Sequence, residues 1–274
     1  MTVAWRGPSA LVTGAASGMG RLCTWRLAAQ GIAVTAVDVD ADGLATTAQR
    51  APSVTPVVCD VTDAAAVATL VDETEARQGP LVTVVHAAAV APSGEVVASS
   101  PDVVRRAMDV NFGGFVNLTA AVMPRFLQRG HADYVIFGST AGFIPSPTTG
   151  AYSATKHATV AYAETLWQET LERTRRSDVR IVCVCPPAVR TPMLERFGYD
   201  DDMLERIRPI EAADVLDAVE RSLRRGDFWC FPGPATRALL LARRLAPGTL
   251  WRLMRGISGG MTSSARTSPP VPPH

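Results

Sequence analysis

Short runs of β-branched and other apolar residues alternate with Ala-rich stretches whose apolar positions recur at helical spacing. Residues 9–13 predict a first strand running into a glycine-rich turn. Residues 19–30 predict a helix with Leu22, Trp25, Leu27 and Ala28 on its apolar side, stopped at Gly31. Further strands are predicted over 32–37, 54–59, 81–85, 133–137 and 179–184, and helices over 64–77, 101–128 and 152–173. The strands are apolar almost throughout, as parallel strands buried on both faces must be. The pattern predicts one α/β domain, a doubly wound parallel sheet with helices on both faces.

The last third changes character. A helix is expected over 212–224 and a short strand over 228–231. Two further segments, 237–245 and 250–257, are separated by Pro247-Gly248 and combine apolar faces with Arg237, Arg243, Arg244, Arg252 and Arg255. Such a stripe serves packing, pocket closure, a subunit interface or a membrane surface; packing or oligomer contact is its usual use. The domain is expected to span 1–257. Residues 258–274, rich in Gly, Ser, Thr and Pro, are expected to be a disordered tail.

The 274 residues are 47% hydrophobic, enough for one well-buried core, and the formal charge is +1. That balance argues against a nucleic-acid partner, which needs a dense basic face. Five scattered cysteines and four histidines offer no metal-ligand cluster, so no metal is expected; reduced thiols packed as small hydrophobes suit a reducing compartment. With neither a signal-peptide pattern nor an apolar run of roughly 20 residues, the expected location is the cytoplasm.

The first strand leads into Thr13-Gly14-Ala15-Ala16-Ser17-Gly18-Met19-Gly20. Glycines permit a tight turn and close backbone approach to a pyrophosphate, whose charge suits the free N–H groups of the following helix. Asp38 ends the second strand eighteen residues after Gly20, where a Rossmann-type fold carries the carboxylate for a ribose diol. A carboxylate there repels a 2′-phosphate, and position 17 is Ser rather than Arg or Lys, so NAD is expected over NADP.

Tyr152 and Lys156 lie four apart on a predicted helix and therefore share a face. A nearby ammonium favours the phenolate, making Tyr152 a candidate general acid/base. Ser139, just past the fifth strand, falls at the same sheet end as the phosphate turn and is suited to bonding a substrate oxygen.

Together these motifs resemble the short-chain dehydrogenase/reductase family, in its shorter single-domain branch, over roughly residues 7–195. Thr13 to Gly20 matches the cofactor turn T-G-x-x-x-G-x-G, and Asp38 the acidic residue after the second strand. Asp60-Val61 matches the adenine-contacting Asp-Val, and Val110-Asn111 the motif whose Asn supports a water-linked proton relay to the lysine. Ser139 precedes an Ala-Gly pair, and Tyr152-Ser153-Ala154-Thr155-Lys156 is close to Y-S-A-S-K. Pro186 to Thr191 matches P-G-x-x-x-T, with Pro186, Val189 and Thr191 expected at the nicotinamide carboxamide. The resemblance implies a tetrad of Asn111, Ser139, Tyr152 and Lys156. It also implies cofactor contacts from Gly14, Ser17, Gly18, Met19, Gly20 and the wall residues Ala87 and Ala88, and assembly as a homodimer or homotetramer through the helices containing Asn111 and Tyr152.

Two departures stand out. N-N-A-G after the fourth strand is His86-Ala87-Ala88-Ala89 here, and Pro187 replaces a Gly. Substrate contacts are expected from Phe143, Met193, Leu194 and Phe197 beside Ser139 and Tyr152, within a substrate loop at about 191–210. Their apolar character suggests a bulky, weakly polar small-molecule alcohol or ketone. The expected activity is hydride transfer between NAD(H) and a secondary alcohol or ketone. The competing reading, kept open by His86 to Ala89, is a catalytically silent NAD-binding sensor or scaffold protein.

Overall fold

The computed structural model describes residues 4–173, 178–197, 199 and 201–258. The first half runs β1 (Ser9–Thr13), α1 (Gly18–Ala28), β2 (Ala33–Asp38), α2 (Ala41–Ala48), β3 (Val54–Val58), α3 (Ala64–Gln78), β4 (Thr83–His86), α4 (Pro101–Met108) and α5 (Gly114–Arg129). The second half runs β5 (His131–Phe137), α6 (Gly150–Arg173), β6 (Asp178–Val184), β7 (Val189–Arg190), α7 (Pro192–Glu195), α8 (Asp201–Ile207), β8 (Ile210–Glu211), α9 (Ala212–Arg225), β9 (Trp229–Cys230), α10 (Pro234–Leu245) and α11 (Pro247–Ser258). Seven strands pair in parallel in the order β3-β2-β1-β4-β5-β6-β9, and β7 and β8 form a separate short pair.

Each main strand is apolar because helices cover it twice. On one face Val12, Val34, Val135 and Val182 pack with Leu27 of α1 and Leu216, Val219 and Leu223 of α9. On the other, Leu11, Val84 and Tyr134 pack with Val67 and Leu70 of α3 and Phe115, Leu118 and Phe126 of α5. Side chains carry out much of the punctuation. Asp63 caps α3 by accepting from the N–H groups of Ala65 and Ala66, and Gly130, in the left-handed region, ends α5. Between β1 and β4 the strand order changes direction, which opens a crevice at the strands' carboxyl ends.

Several expectations shift. The strand expected over 81–85 lies at Thr83–His86, so His86 belongs to the sheet. Helix α2 is absent from the hydrophobic pattern: eight residues offer only Leu44 and Thr47 to the core, and the helix is capped by Asp40, which accepts from Gly43 N. Residues 101–128 are not one helix, because a π-turn at Asp109–Gly113 divides α4 from α5. Just beyond it Gly114 meets Val61; a Cβ there would lie 2.5 Å from the Val61 Cγ2. The two Arg-bearing segments are helices α10 and α11, starting earlier than expected, at Pro234 and Pro247. Ser258 closes α11, and the remainder of the expected tail, 259–274, lies outside the described residues.

At the amino ends of the strands, far from the crevice, Asp133 is fully buried. Arg180 grips it with two bonds of 2.6 Å and also donates to the carbonyls of Leu223 and Ala4. Removing the carboxylate strands a guanidinium in the core. Asp133→Ala is expected to lower unfolding free energy by about 3–5 kcal/mol in chemical denaturation. Dinucleotide affinity of the folded fraction should stay unchanged, because the pair lies at the opposite end of the sheet.

Candidate active site

Two glycines shape the phosphate turn. Gly14 sits at φ 69° against the main chain of Ala87 and Ala88, and a Cβ on it would lie 2.6 Å from Ala88 N. On Gly20, a Cβ would lie 2.1 Å from the Gly14 carbonyl oxygen, so α1 can start this close to β1 only without a side chain. Ser17 precedes the helix in extended conformation with no side-chain cap, leaving the first N–H groups of α1 for a ligand. Asp38 is fastened beside the turn. Its Oδ2 accepts from Ala16 N at 3.0 Å, and its Oδ1 from Val39 N and Asp40 N at 2.8 and 3.2 Å. Carboxylate lone pairs remain for a diol. The neighbouring guanidinium of Arg21 is occupied by Thr47 and the carbonyls of Ala16 and Gly43.

The turn, the free helix N-terminus and the carboxylate together fit a dinucleotide. Asp60 accepts from Thr62 N at 2.9 Å and from Arg106 at 3.4 Å. Burial pushes its carboxyl up, but those two partners outweigh it and hold the pKa below the usual range. Val61 is buried against Gly114. Across the crevice, the Pro186 carbonyl accepts from Thr140 N at 3.0 Å, and Val189 is buried. Thr191 comes over the turn, its Cβ 3.5 Å from where a Cβ of Gly18 would stand.

Asn111, Ser139, Tyr152 and Lys156 gather at the same end of the sheet. The Asn111 amide donates to the Val90 carbonyl (2.8 Å) and Thr155 Oγ1 (2.9 Å), while its oxygen accepts from Val90 N (2.7 Å). Its side chain thus ties the loop after β4 to α6, and its main chain lies in the π-turn, a form frequent at functional sites. Ser139 Oγ accepts from Ala141 N at 3.0 Å, and its hydroxyl lies near the Tyr152 phenol. Tyr152 is partly exposed; burial pushes its phenol up to about 12, against the opposing influence of the Ser139 hydroxyl.

Lys156 is buried, its Nζ donating to the Phe137 carbonyl at 2.7 Å and lying 5.7 Å from the centre of the Tyr152 ring. Burial brings the ammonium down to about 8. It is the sole lysine of a chain with 26 arginines. A guanidinium stays charged at any ordinary pH, whereas an amine can release a proton.

The surroundings of His86 define its state. Thr13 Oγ1 lies 3.3 Å from the N–H groups of both Ala87 and Ala88 and 3.0 Å from His86 Nδ1. With the two amides donating to that oxygen, its single proton goes to Nδ1, so the imidazole carries its own proton on Nε2. That nitrogen is buried without a hydrogen-bond partner among the described residues, near the main chain of Asn111. The Thr13-His86 pair thereby joins β1 to β4 through side chains where they part. Burial first, then the charge of Lys156, lowers its pKa to about 3.

Among the expected substrate residues, Phe143 packs edge-on against Trp229 and Phe231 at 5.5 and 6.0 Å, inside an aromatic cluster. Met193, Leu194 and Phe197 are partly buried on and after α7, and Phe197 stacks on Tyr199 at 5.4 Å. No group of metal-binding side chains occurs among the described residues, and all five cysteines are free and buried.

An imidazole that the fold keeps neutral loses stability as pH falls below its unfolded value, at about 1.4 kcal/mol per unit until the folded pKa is reached. Between pH 6.5 and 5 the protein should lose about 2 kcal/mol more unfolding free energy than His86→Asn. Parallel denaturation series at the two pH values measure the difference; equal losses would show that the imidazole is not held neutral.

The short chain dehydrogenase family profile matches residues 8–202. A 1-deoxy-11-beta-hydroxypentalenate dehydrogenase of Streptomyces avermitilis is 35% identical over 230 residues, covering 81% of this chain and 83% of its own. The 2-dehydro-3-deoxy-L-rhamnonate dehydrogenase (NAD(+)) of a Sphingomonas strain is 32% identical, over 70% of this chain and 76% of its own. Among solved structures, a short chain dehydrogenase/reductase from Burkholderia phymatum in complex with NAD superposes with a TM-score of 0.77 at 27% identity, covering 89% of this chain and 95% of its own. An actinorhodin polyketide ketoreductase with NADPH gives 0.72 at 25% identity, covering 85% and 92%. With its parallel sheet and glycine-shaped crevice, the chain belongs to the short-chain dehydrogenase/reductase family of oxidoreductases, whose fold takes a nicotinamide cofactor.

Proposed function

We propose that this oxidoreductase uses NAD(H) to interconvert a secondary alcohol and a ketone, with Tyr152 as general acid/base. The observation that carries the reading is the Tyr152 phenol beside the Ser139 hydroxyl, with the chain's sole lysine one helical turn away. The nicotinamide supplies or accepts the hydride. Ser139 and Tyr152 both bond the substrate oxygen, fixing its position. In reduction the phenol delivers a proton to that oxygen; in oxidation it withdraws one. Lys156 favours the phenolate by its charge and is itself near its titration point, so it can pass a proton onward. Asn111 holds the loop after β4 and α6 in register, and its main chain is where a relay through water would start.

NAD is favoured because Asp38 stands where a 2′-phosphate would lie and Arg21 is already occupied. Gly14, Ser17, Gly18, Met19 and Gly20 would hold the pyrophosphate. Asp60 and Val61 would meet the adenine, Ala87 and Ala88 the ribose, and Pro186, Val189 and Thr191 the carboxamide. Met193, Leu194 and Phe197 argue for a bulky apolar substrate; Phe143 would support the pocket from the aromatic cluster. The exposed Val103 of α4 and Tyr162 and Leu171 of α6 are apolar surface suited to a homodimer or homotetramer.

Tyr152→Phe removes the proton donor without changing the ring. Turnover on a panel of secondary alcohols with NAD should fall about 10²–10⁴-fold, while NAD affinity by calorimetry stays within a few-fold. A variant that keeps its activity would end the assignment. Asp38→Ala removes charged hydrogen bonds worth about 1.5–3 kcal/mol. It should weaken NAD binding at least roughly tenfold and leave NADP binding unchanged or stronger. Equal weakening of both would show that Asp38 is not the ribose ligand.

A further inference from the structure

The charge of this chain is unevenly placed. Residues 1–227 contain 21 basic and 26 acidic side chains, whereas residues 228–274 contain six arginines and no Asp or Glu. The first five of those arginines fall on α10 and α11. In α10, Arg237, Ala238, Leu241, Arg244 and Leu245 are exposed, while Thr236 is buried and Leu239 and Leu240 partly so. At 3.6 residues per turn the five exposed positions fall in one sector about 120° wide. Leu241 and Leu245 are 58% and 72% exposed, more than any other leucine among the described residues, with Leu171 of α6 next at 53%. Arg237 and Arg244 form no ion pair among the described residues.

The hairpin is a built element. Arg243 stacks its guanidinium 5.0 Å from the Trp251 ring centre, and Leu250 is buried. Strand β9 lies parallel to β6 and ends at Cys230 beside Val184, so the chain enters α10 from the carboxyl ends of the strands. Phe231, three residues before α10, touches Phe143. The basic hairpin and the active-site crevice thus leave the same end of the sheet.

A helix stabilised only by packing buries its leucines and shows its charges. α10 instead shows leucines framed by arginines, the pattern of a helix lying in a membrane interface. We propose that α10 and α11 form a reversible docking surface for an anionic lipid bilayer. Leu241 and Leu245 enter the acyl boundary, Arg237 and Arg244 meet lipid phosphates, and the crevice opens close to the bilayer. A second copy is disfavoured as the occupant, since its matching face would bring arginine against arginine with no acid to pair.

The test uses the full chain without substrate or cofactor, so its outcome does not depend on the proposed reaction. Co-sedimentation with vesicles of phosphatidylcholine alone is compared with vesicles also containing phosphatidylglycerol. Binding should appear on the anionic vesicles only and weaken as salt rises. Arg237→Gln with Arg244→Gln should reduce partition roughly thirtyfold, and Leu241→Glu with Leu245→Glu should abolish it. Both variants should keep the circular dichroism and thermal midpoint of the parent. Absence of binding to anionic vesicles at low salt, equal binding to neutral ones, or undiminished binding of folded variants would overturn the proposal. So would concentration-dependent self-association that these substitutions abolish while the parent ignores vesicles.

Discussion

A parallel sheet covered on both faces leaves a ligand one place to bind, the carboxyl ends of its strands. Here that constraint is concentrated where β1 and β4 part. Gly14 presses on the main chain of Ala87 and Ala88, Gly20 presses on Gly14, and Thr13 bonds His86 across the divide. Everything else in the site is hung from this seam. The helix start offers its N–H groups because Gly20 lets it come close. Asp38 reaches the turn because β2 runs beside β1 in register, Thr13 opposite Val37.

Burial does chemical work at the same place. The Tyr152 phenol is pushed up, the Lys156 ammonium down and the His86 imidazole far down, each because the enclosed site disfavours its charged form. The direction of each shift follows from the acid or base concerned. Lysine and tyrosine are both biased toward their uncharged forms, and the histidine is kept from adding a second positive charge beside Lys156. A neutral ring stacked on Phe115 at 5.7 Å suits that position.

The departures from the family pattern are local. His86 bonds Thr13 across β1 and β4, and the Pro186 carbonyl ahead of Pro187 accepts from Thr140. Asn111, Ser139, Tyr152 and Lys156 still gather at one end of the sheet. At the fourth position of Y-S-A-S-K, Thr155 in place of Ser still accepts from Asn111.

Hydrophobic periodicity determined the strands and the α/β layering, because a strand buried twice must be apolar throughout and a helix must repeat near 3.6. Motif spacing determined which residues meet: Ser139, Tyr152 and Lys156 share a face or a strand end whatever the packing details. Three features were decided by tertiary structure. α2 exists because Leu44 and Thr47 find a core waiting, not because eight weakly patterned residues form a helix unaided. The π-turn at Asp109–Gly113 arises where Asn111 bonds the loop after β4 and α6, contacts remote in sequence. The tautomer of His86 depends on a hydroxyl 73 residues away and two backbone amides. A pattern along the chain records which side of an element is apolar; it does not record which partner arrives there.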